Sequence, residues 1–191
     1  RRRDPDDDHP CWRCQHCLAV CPRGALSIFH RDPADSRTPV TRDDASYILD
    51  TLIMTRRSQR HFLSREVDPA MIRFLIDLLA CAPNYGNRQS VEFTLVDRAE
   101  QMARIRECLD AEEGPSFCCA PYLLVPHSPS GEPAAPYDQM TAAAYFELLC
   151  ASRGLGSVIL SFPEDPSALR NALEIPPDHT VSVMIGFGWP E

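Results

Sequence analysis

Cys11-Trp-Arg-Cys14-Gln-His-Cys17-Leu-Ala-Val-Cys21-Pro22 sets four thiols at gaps of two, two and three residues and closes them with a proline. Thiols this close in sequence do not serve ordinary core packing. They converge on a metal centre or pair with one another. The spacing is that of the bacterial [4Fe–4S] ligand run, in which a tight loop wraps soft thiolates around a cube. A zinc site would pair two such hooks at a distance, and a disulfide framework would imply a small secreted domain; neither pattern is present. Cys11, Cys14, Cys17 and Cys21 are therefore the expected cluster ligands. In two-cluster ferredoxins the fourth cysteine of the run ligates the other cube. Cys21 thus predicts a second cluster, and an upstream run of the same kind in the complete gene product, of which this chain, without an initial Met, is expected to be a part.

Composition narrows the chemistry. All 19 basic residues are arginine, which removes Schiff-base, pyridoxal phosphate and Walker-lysine mechanisms and leaves arginine to hold any anion. A net charge of −8 argues against nucleic acid as a partner. No apolar run is long enough to span a bilayer, and nine cysteines without a secretion signal predict a reducing compartment, the cytoplasm.

The chain reads as residues 1–35, a cluster segment; 36–42, a linker within a stretch rich in Asp, Pro, Thr and Ser; and 43–191, a second domain of helices over a sheet of about four strands. Within the cluster segment a turn of helix is expected at Arg23-Gly-Ala and a small strand at Leu26–Phe29. Asp43 and Asp44 can cap a helix to about Met54, with Ile48, Leu49, Leu52 and Ile53 on one face. Asp68-Pro69 opens the next helix, and Val91–Val96 alternates as a strand. Asp97-x-x-Glu100 resembles a capping box, with Met102, Ile105 and Leu109 inward. A buried strand is expected at Tyr122–Val125 and a long helix from Ala135 to Arg153, stopped by Gly154. A strand at Val158–Leu160, a short helix from Asp165-Pro166 and a last strand at Val181–Ile185 follow.

A second chemical site is suggested by Arg56-Arg57-Ser58-Gln59-Arg60. Three guanidinium groups and a hydroxyl can surround a phosphate; equally, they can form a solvated basic helix end favoured by the macrodipole. Ala82-Pro-Asn84-Tyr-Gly-Asn87 is a polar loop whose asparagines suit either turns or a heterocycle edge. Gly154-Leu155-Gly156-Ser157 lets backbone approach a ligand, or simply caps a helix and turns. Periodicity alone does not bring the three stretches together. Buried inert thiols are expected for most of Cys81, Cys108, Cys118, Cys119 and Cys150, redox activity of the vicinal pair Cys118-Cys119 being the alternative; His16 and His61 are expected at the surface, with a place beside the arginine motif's ligand the alternative for His61.

In that order, Arg-Arg-Ser-Gln-Arg-His-Phe, Ala-Pro-Asn-x-x-Asn-x-Gln, Gly-Leu-Gly-Ser and the terminal Val183-Met-Ile-Gly-Phe-Gly-Trp-Pro190 resemble the nitroreductase family over residues 43 to 190. With the cysteine run, the chain is similar to the ferredoxin-fused [4Fe–4S] subgroup. The resemblance implies an α+β fold, a nitroreductase-like sandwich in which helices cover a sheet, preceded by a small ferredoxin-like segment. It further implies a homodimer with FMN at the interface. Arg56, Arg57 and Ser58 would then meet the phosphate and ribityl, and Arg60 the pyrimidine edge. Asn84 would lie in the pocket, Asn87 would reach the ring from the partner subunit, and Leu155, Gly156 and Ser157 would flank the redox edge. No side chain is expected to be catalytic, since the chemistry belongs to the flavin. The expected activity is transfer of electrons, received from a low-potential donor such as ferredoxin, to a small organic acceptor such as a nitroaromatic or quinone. The alternative is a non-catalytic electron-transfer or redox-sensing protein. Three features depart from the family pattern: Cys108–Ser116 is short, no cysteine run stands upstream of Cys11, and the sequence stops at Glu191 before the usual basic tail; residues missing from this stretch of sequence, or a reduced protein, would each account for them.

Overall fold

The computed structural model describes residues 11–36, 42–113, 119–161 and 167–191. Strands β1 (Glu92–Val96), β2 (Tyr122–Pro129), β3 (Gly156–Ser161), β4 (His179–Thr180) and β5 (Val183–Gly188) form one antiparallel sheet in the order β1-β2-β5-β3, with β4 pairing on β2. Helices α1 (His16–Ala19), α2 (Arg42–Thr55), α3 (Pro69–Leu78), α4 (Ala99–Glu113), α5 (Ala135–Ala151) and α6 (Ser167–Leu173) are joined by short 3-10 turns at Pro33–Asp35, Leu79–Cys81 and Tyr85–Asn87.

Period-two alternation divides the sheet residues between two cores. Tyr122 and Leu124 of β2 and Val183, Ile185 and Phe187 of β5 turn to one face, where Ile72 and Leu75 of α3 and Phe146 of α5 cover them. Leu123 and Val125 of β2, Val96 of β1 and Met184 of β5 turn to the other, under Met102, Ile105 and Leu109 of α4 and Leu169 and Leu173 of α6. Tyr122 stacks on Phe187 at 5.3 Å, and its hydroxyl accepts from Val67 N at 3.1 Å.

Local signals hold where local chemistry sets them. Asp68 caps α3 by accepting from Ala70 N at 2.8 Å, with Pro69 at the first position. Gly154 stands at φ 73°, which lets Leu155 N close onto Cys150 O at 3.0 Å and ends α5. Differences arise elsewhere. α4 starts at Ala99, inside the expected capping box. β2 and β3 run on to Pro129 and back to Gly156, and β5 lies at Val183–Gly188 rather than Val181–Ile185, because each added stretch gains a paired neighbour. The two-residue β4 carries no pattern long enough to read. The helix turn of the cluster segment lies at His16–Ala19, within the cysteine run, and Leu26–Phe29 contributes only an isolated bridge, Ile28 to Arg31. The expected start at Asp165-Pro166 and Cys118 of the vicinal pair lie outside the described residues.

α2 departs most. It spans Arg42–Thr55, so Asp43 and Asp44 lie inside its first turn rather than at its cap, and none of its residues is buried: Tyr47 is 76 % exposed, Ile48 55 %, Leu49 49 %, Ile53 53 % and Met54 73 %. No helix of the described residues is long and apolar enough to cross a membrane.

Candidate functional site

The chain leaves α2 through Arg56–Arg60 and runs beside the start of β3. Ser58 bridges Ser157 in parallel, and Gln59 N donates to Ser157 O at 2.9 Å. A cavity of about 270 Å³ opens between this segment, the end of α5 and the α5–β3 turn, lined by Arg56, Arg57, Glu147, Leu155, Gly156 and Ser157 among others. Two stretches that lie far apart in sequence thus meet because one hydrogen-bonds along the other. Gly156 is required by this closeness: a Cβ there would stand 2.7 Å from Gln59 Cγ and 2.8 Å from Gln59 Cβ.

The arginines differ. Arg56 Nε lies 3.2 Å from Glu147 Oε2, but the approach gives no directed hydrogen bond, and this nitrogen is buried without one. Arg57 folds back to donate to Met54 O at 2.9 Å and Arg56 O at 2.8 Å, so it caps the carbonyl end of α2. Ser58 and Arg60 are exposed and do not line the cavity. Glu147 was not among the sequence candidates; its signal was a lone carboxylate in the apolar run Ala142–Cys150.

Asn84 and Asn87 lie apart from this cavity within one chain. Asn84 Oδ1 accepts from Gln89 N at 3.0 Å and Asn84 Nδ2 donates to Ala82 O at 3.2 Å, which braces the loop from inside. Asp138 of α5, also missed in the sequence, accepts from Tyr85 N at 3.1 Å. Asn87 and Gln89 hold left-handed backbone at φ 53° and 54°, a conformation that costs energy outside glycine and that often marks functional loops. Asn87 Nδ2 donates to Trp12 O at 2.9 Å, so the asparagine loop carries the cysteine run. A cleft of about 710 Å³ between them is lined by Trp12, Cys14, Cys81, Asn84 and Asn87.

In the run itself, Cys11, Cys14 and Cys17 are exposed and Cys21 is half-buried. Ala25 N donates to Cys21 Sγ at 3.4 Å, and backbone N–H groups of Ala25 and Arg23 hold that thiol below its ordinary pKa. Of the remaining thiols, Cys150 is buried, and burial pushes its pKa up. Cys108 is half-buried, whereas Cys81 and Cys119 are exposed, contrary to expectation, because they sit in the turns that follow α3 and precede β2 rather than on packed faces. His16 and His61 are at the surface.

Residues 53–112 and 110–189 match the model of the nitroreductase family. A curated Archaeoglobus fulgidus protein, provisionally named NADH dehydrogenase/NAD(P)H nitroreductase, is 29 % identical over 146 residues, covering 73 % of this chain and 84 % of the relative. Among solved structures, an FMN-dependent nitroreductase of Clostridium difficile superposes with a TM-score of 0.68 at 22 % identity, over 74 % of this chain and 87 % of that one. A Bacteroides fragilis nitroreductase with bound FMN superposes with a TM-score of 0.67 at 19 % identity, over 75 % and 88 %. Iodotyrosine deiodinase, bound to FMN and 3-iodo-L-tyrosine, gives 0.68 at 22 % identity, over 75 % and 90 %. On the family match across both halves of the flavin-domain stretch, the chain belongs to the nitroreductase family and is a flavin-dependent oxidoreductase.

Proposed function

We propose that the chain holds FMN in a site shared between two copies, receives electrons through a [4Fe–4S] cluster on its cysteine run, and passes them from the flavin to a small organic acceptor such as a nitroaromatic or quinone. The observation that carries this reading is the Arg56 cavity. A guanidinium held by a carboxylate, in the lining of a cavity edged by glycine backbone, suits an anionic, acceptor-rich group such as the FMN phosphate and ribityl. FMN-bound relatives of the same fold support the choice of flavin. When bound, FMN supplies the electron and hydride chemistry, and the protein supplies position and electrostatics. Arg56 would hold the anion, with Glu147 orienting the guanidinium. Leu155, Gly156 and Ser157 would present backbone to the ring. Arg57, Ser58 and Arg60 would need to turn toward the ligand from their present positions.

The asparagine loop belongs to the same site in this reading, from the partner copy. The uncovered apolar face of α2 supports a homodimer. The cysteine run rests on that loop, so a cluster would lie against the partner's flavin. The exposed thiols and the N–H bond to Cys21 Sγ fit a cluster, whose potential such bonds tune. Residues 1–35 are then a cluster segment, 36–42 a linker and 43–191 the flavin domain.

A nicotinamide donor is the second reading, favoured by the NAD(P)H in the name of the Archaeoglobus fulgidus relative. Flavin titration tests the carrying observation. Arg56→Ala should weaken FMN binding about ten- to 150-fold, the value of a charge-assisted hydrogen bond of about 1.5–3 kcal/mol. Unchanged affinity would reduce the arginines to a solvated helix end.

A further inference from the structure

Three strands bring metal-binding side chains together on the α4/α6 face of the sheet, away from the Arg56 cavity and the cysteine run. Glu92 of β1 is paired directly with His127 of β2, and so projects on the same face. His179 of β4 is paired with Pro129, two residues beyond His127, which returns it to that face. One ligand atom from each of Glu92, His127 and His179 lies within 4.8 Å of those of the other two. The two Nδ1 atoms face each other at 2.8 Å, and both rings are buried, at 4 % and 8 % exposure. Among the described residues this is the group whose side chains converge at single-ion spacing.

We propose that Glu92, His127 and His179 form a zinc(II) site that ties β1, β2 and β4 together. Two imidazoles and a carboxylate are a ligand set for a borderline divalent ion, and a water completes a tetrahedron. At Zn–N distances of about 2.0–2.1 Å, tetrahedral geometry sets the two nitrogens about 3.3 Å apart, so the rings must separate by about half an ångström and tilt until both Nδ1 lone pairs turn from each other toward the ion. His127 Nε2 stands 3.1 Å from Thr94 Oγ1, one turn of the pleat from Glu92 on the same face. Donation from Nε2 to that hydroxyl leaves the Nδ1 lone pair directed at His179, the outer-shell arrangement that fixes a ligand's tautomer. His179 then carries its proton on Nδ1 without metal and on Nε2 with it, so neutral rings need not ionise to bind. Glu92 is exposed and offers the ion a route from solvent. Its carboxylate also offsets Arg170, whose guanidinium donates to the His179 carbonyl and opposes a cation nearby. In the metal-free chain the imidazole–imidazole hydrogen bond keeps the buried pair satisfied.

The test is calorimetric titration of the full chain with Zn2+ after chelator treatment, with Co2+ as spectroscopic probe. His179→Gln should lose one equivalent relative to wild type. The Co2+ spectrum of that equivalent should lack thiolate-to-metal charge transfer, which separates it from ions on the cysteine run. Thr94→Val should keep the equivalent but weaken it ten- to a hundredfold, the usual effect of removing an outer-shell partner. Zinc should raise the melting temperature of wild type more than that of either variant. Glu92→Gln alters an exposed side chain and decides the matter if His179→Gln fails to fold; its affinity should fall at least tenfold. Equal stoichiometry in wild type and folded His179→Gln, or equal affinity in wild type, Glu92→Gln and Thr94→Val, would overturn the proposal and leave a hydrogen-bonded histidine pair.

Discussion

At the scale of single residues, three arginines of one motif have three fates. Arg57 turns its Nη1 onto the carbonyls of Met54 and Arg56, Arg60 remains exposed, and Arg56 is held half-buried at a cavity by Glu147. Arg57→Ala should therefore weaken flavin binding less than Arg56→Ala. Gly156 is the other decisive position. An added Cβ meets Gln59 Cβ and Cγ and lies 3.2 Å from Pro190 Cβ, and Gln59 cannot swing clear because its backbone N is bonded to Ser157 O. Gly156→Ala should destabilise the chain by about 1–3 kcal/mol, as overpacking does. Thermal melting of the two proteins without flavin measures it; an unchanged midpoint would mean that the contact with Gln59 relaxes freely.

At the scale of elements, α2 forms from its own sequence yet buries none of its side chains among the described residues. Its aromatic and aliphatic side chains are the largest run of exposed apolar surface on any described helix. Monomers rarely leave such a patch bare. Ile48→Asp combined with Ile53→Asp should convert a dimer to a monomer in light scattering and abolish flavin binding. Helix content should change little, because no α2 residue is buried within the chain. Loss of fold instead of loss of assembly would show that α2 is held by intrachain packing after all. β4 is the opposite case: two residues long, it is stabilised by pairing with β2 and by Gln139, whose Nε2 donates to Thr180 O at 3.0 Å.

At the scale of the whole molecule, the proposed electron route turns on how the cysteine run sits against the rest of the chain. The proposed linker, residues 36–42, extends at most roughly 25 Å, and a coil spans less. Tethering raises the effective concentration of donor at acceptor without any further contact. The hydrogen bond from Asn87 to Trp12 O narrows the geometry further. Removing residues 1–35 should abolish FMN bleaching by reduced ferredoxin while leaving the flavin bound and reducible by dithionite. Equal bleaching rates in the full-length and shortened proteins would take the cysteine run off the electron path. Faster reduction by a nicotinamide than by ferredoxin in both would favour the second reading of the donor.

What the sequence determined by itself is what short-range chemistry controls. The Asp68-Pro69 helix start and the Gly154 stop each act within a few residues, where backbone hydrogen bonds and dihedral preferences decide. The inward Met102, Ile105 and Leu109 were legible from helical period, and the order of motifs sufficed for the family. Which residues share a site was not legible. Arg56 meets Gly156 because Gln59 bonds along β3, Asn87 is held away on the loop that carries the cysteine run, and Glu147 enters from the middle of α5. Glu92, His127 and His179 look unrelated until strand register places them on one face. Register is set cooperatively, by burying two apolar faces of the sheet at once, and no local spacing encodes it.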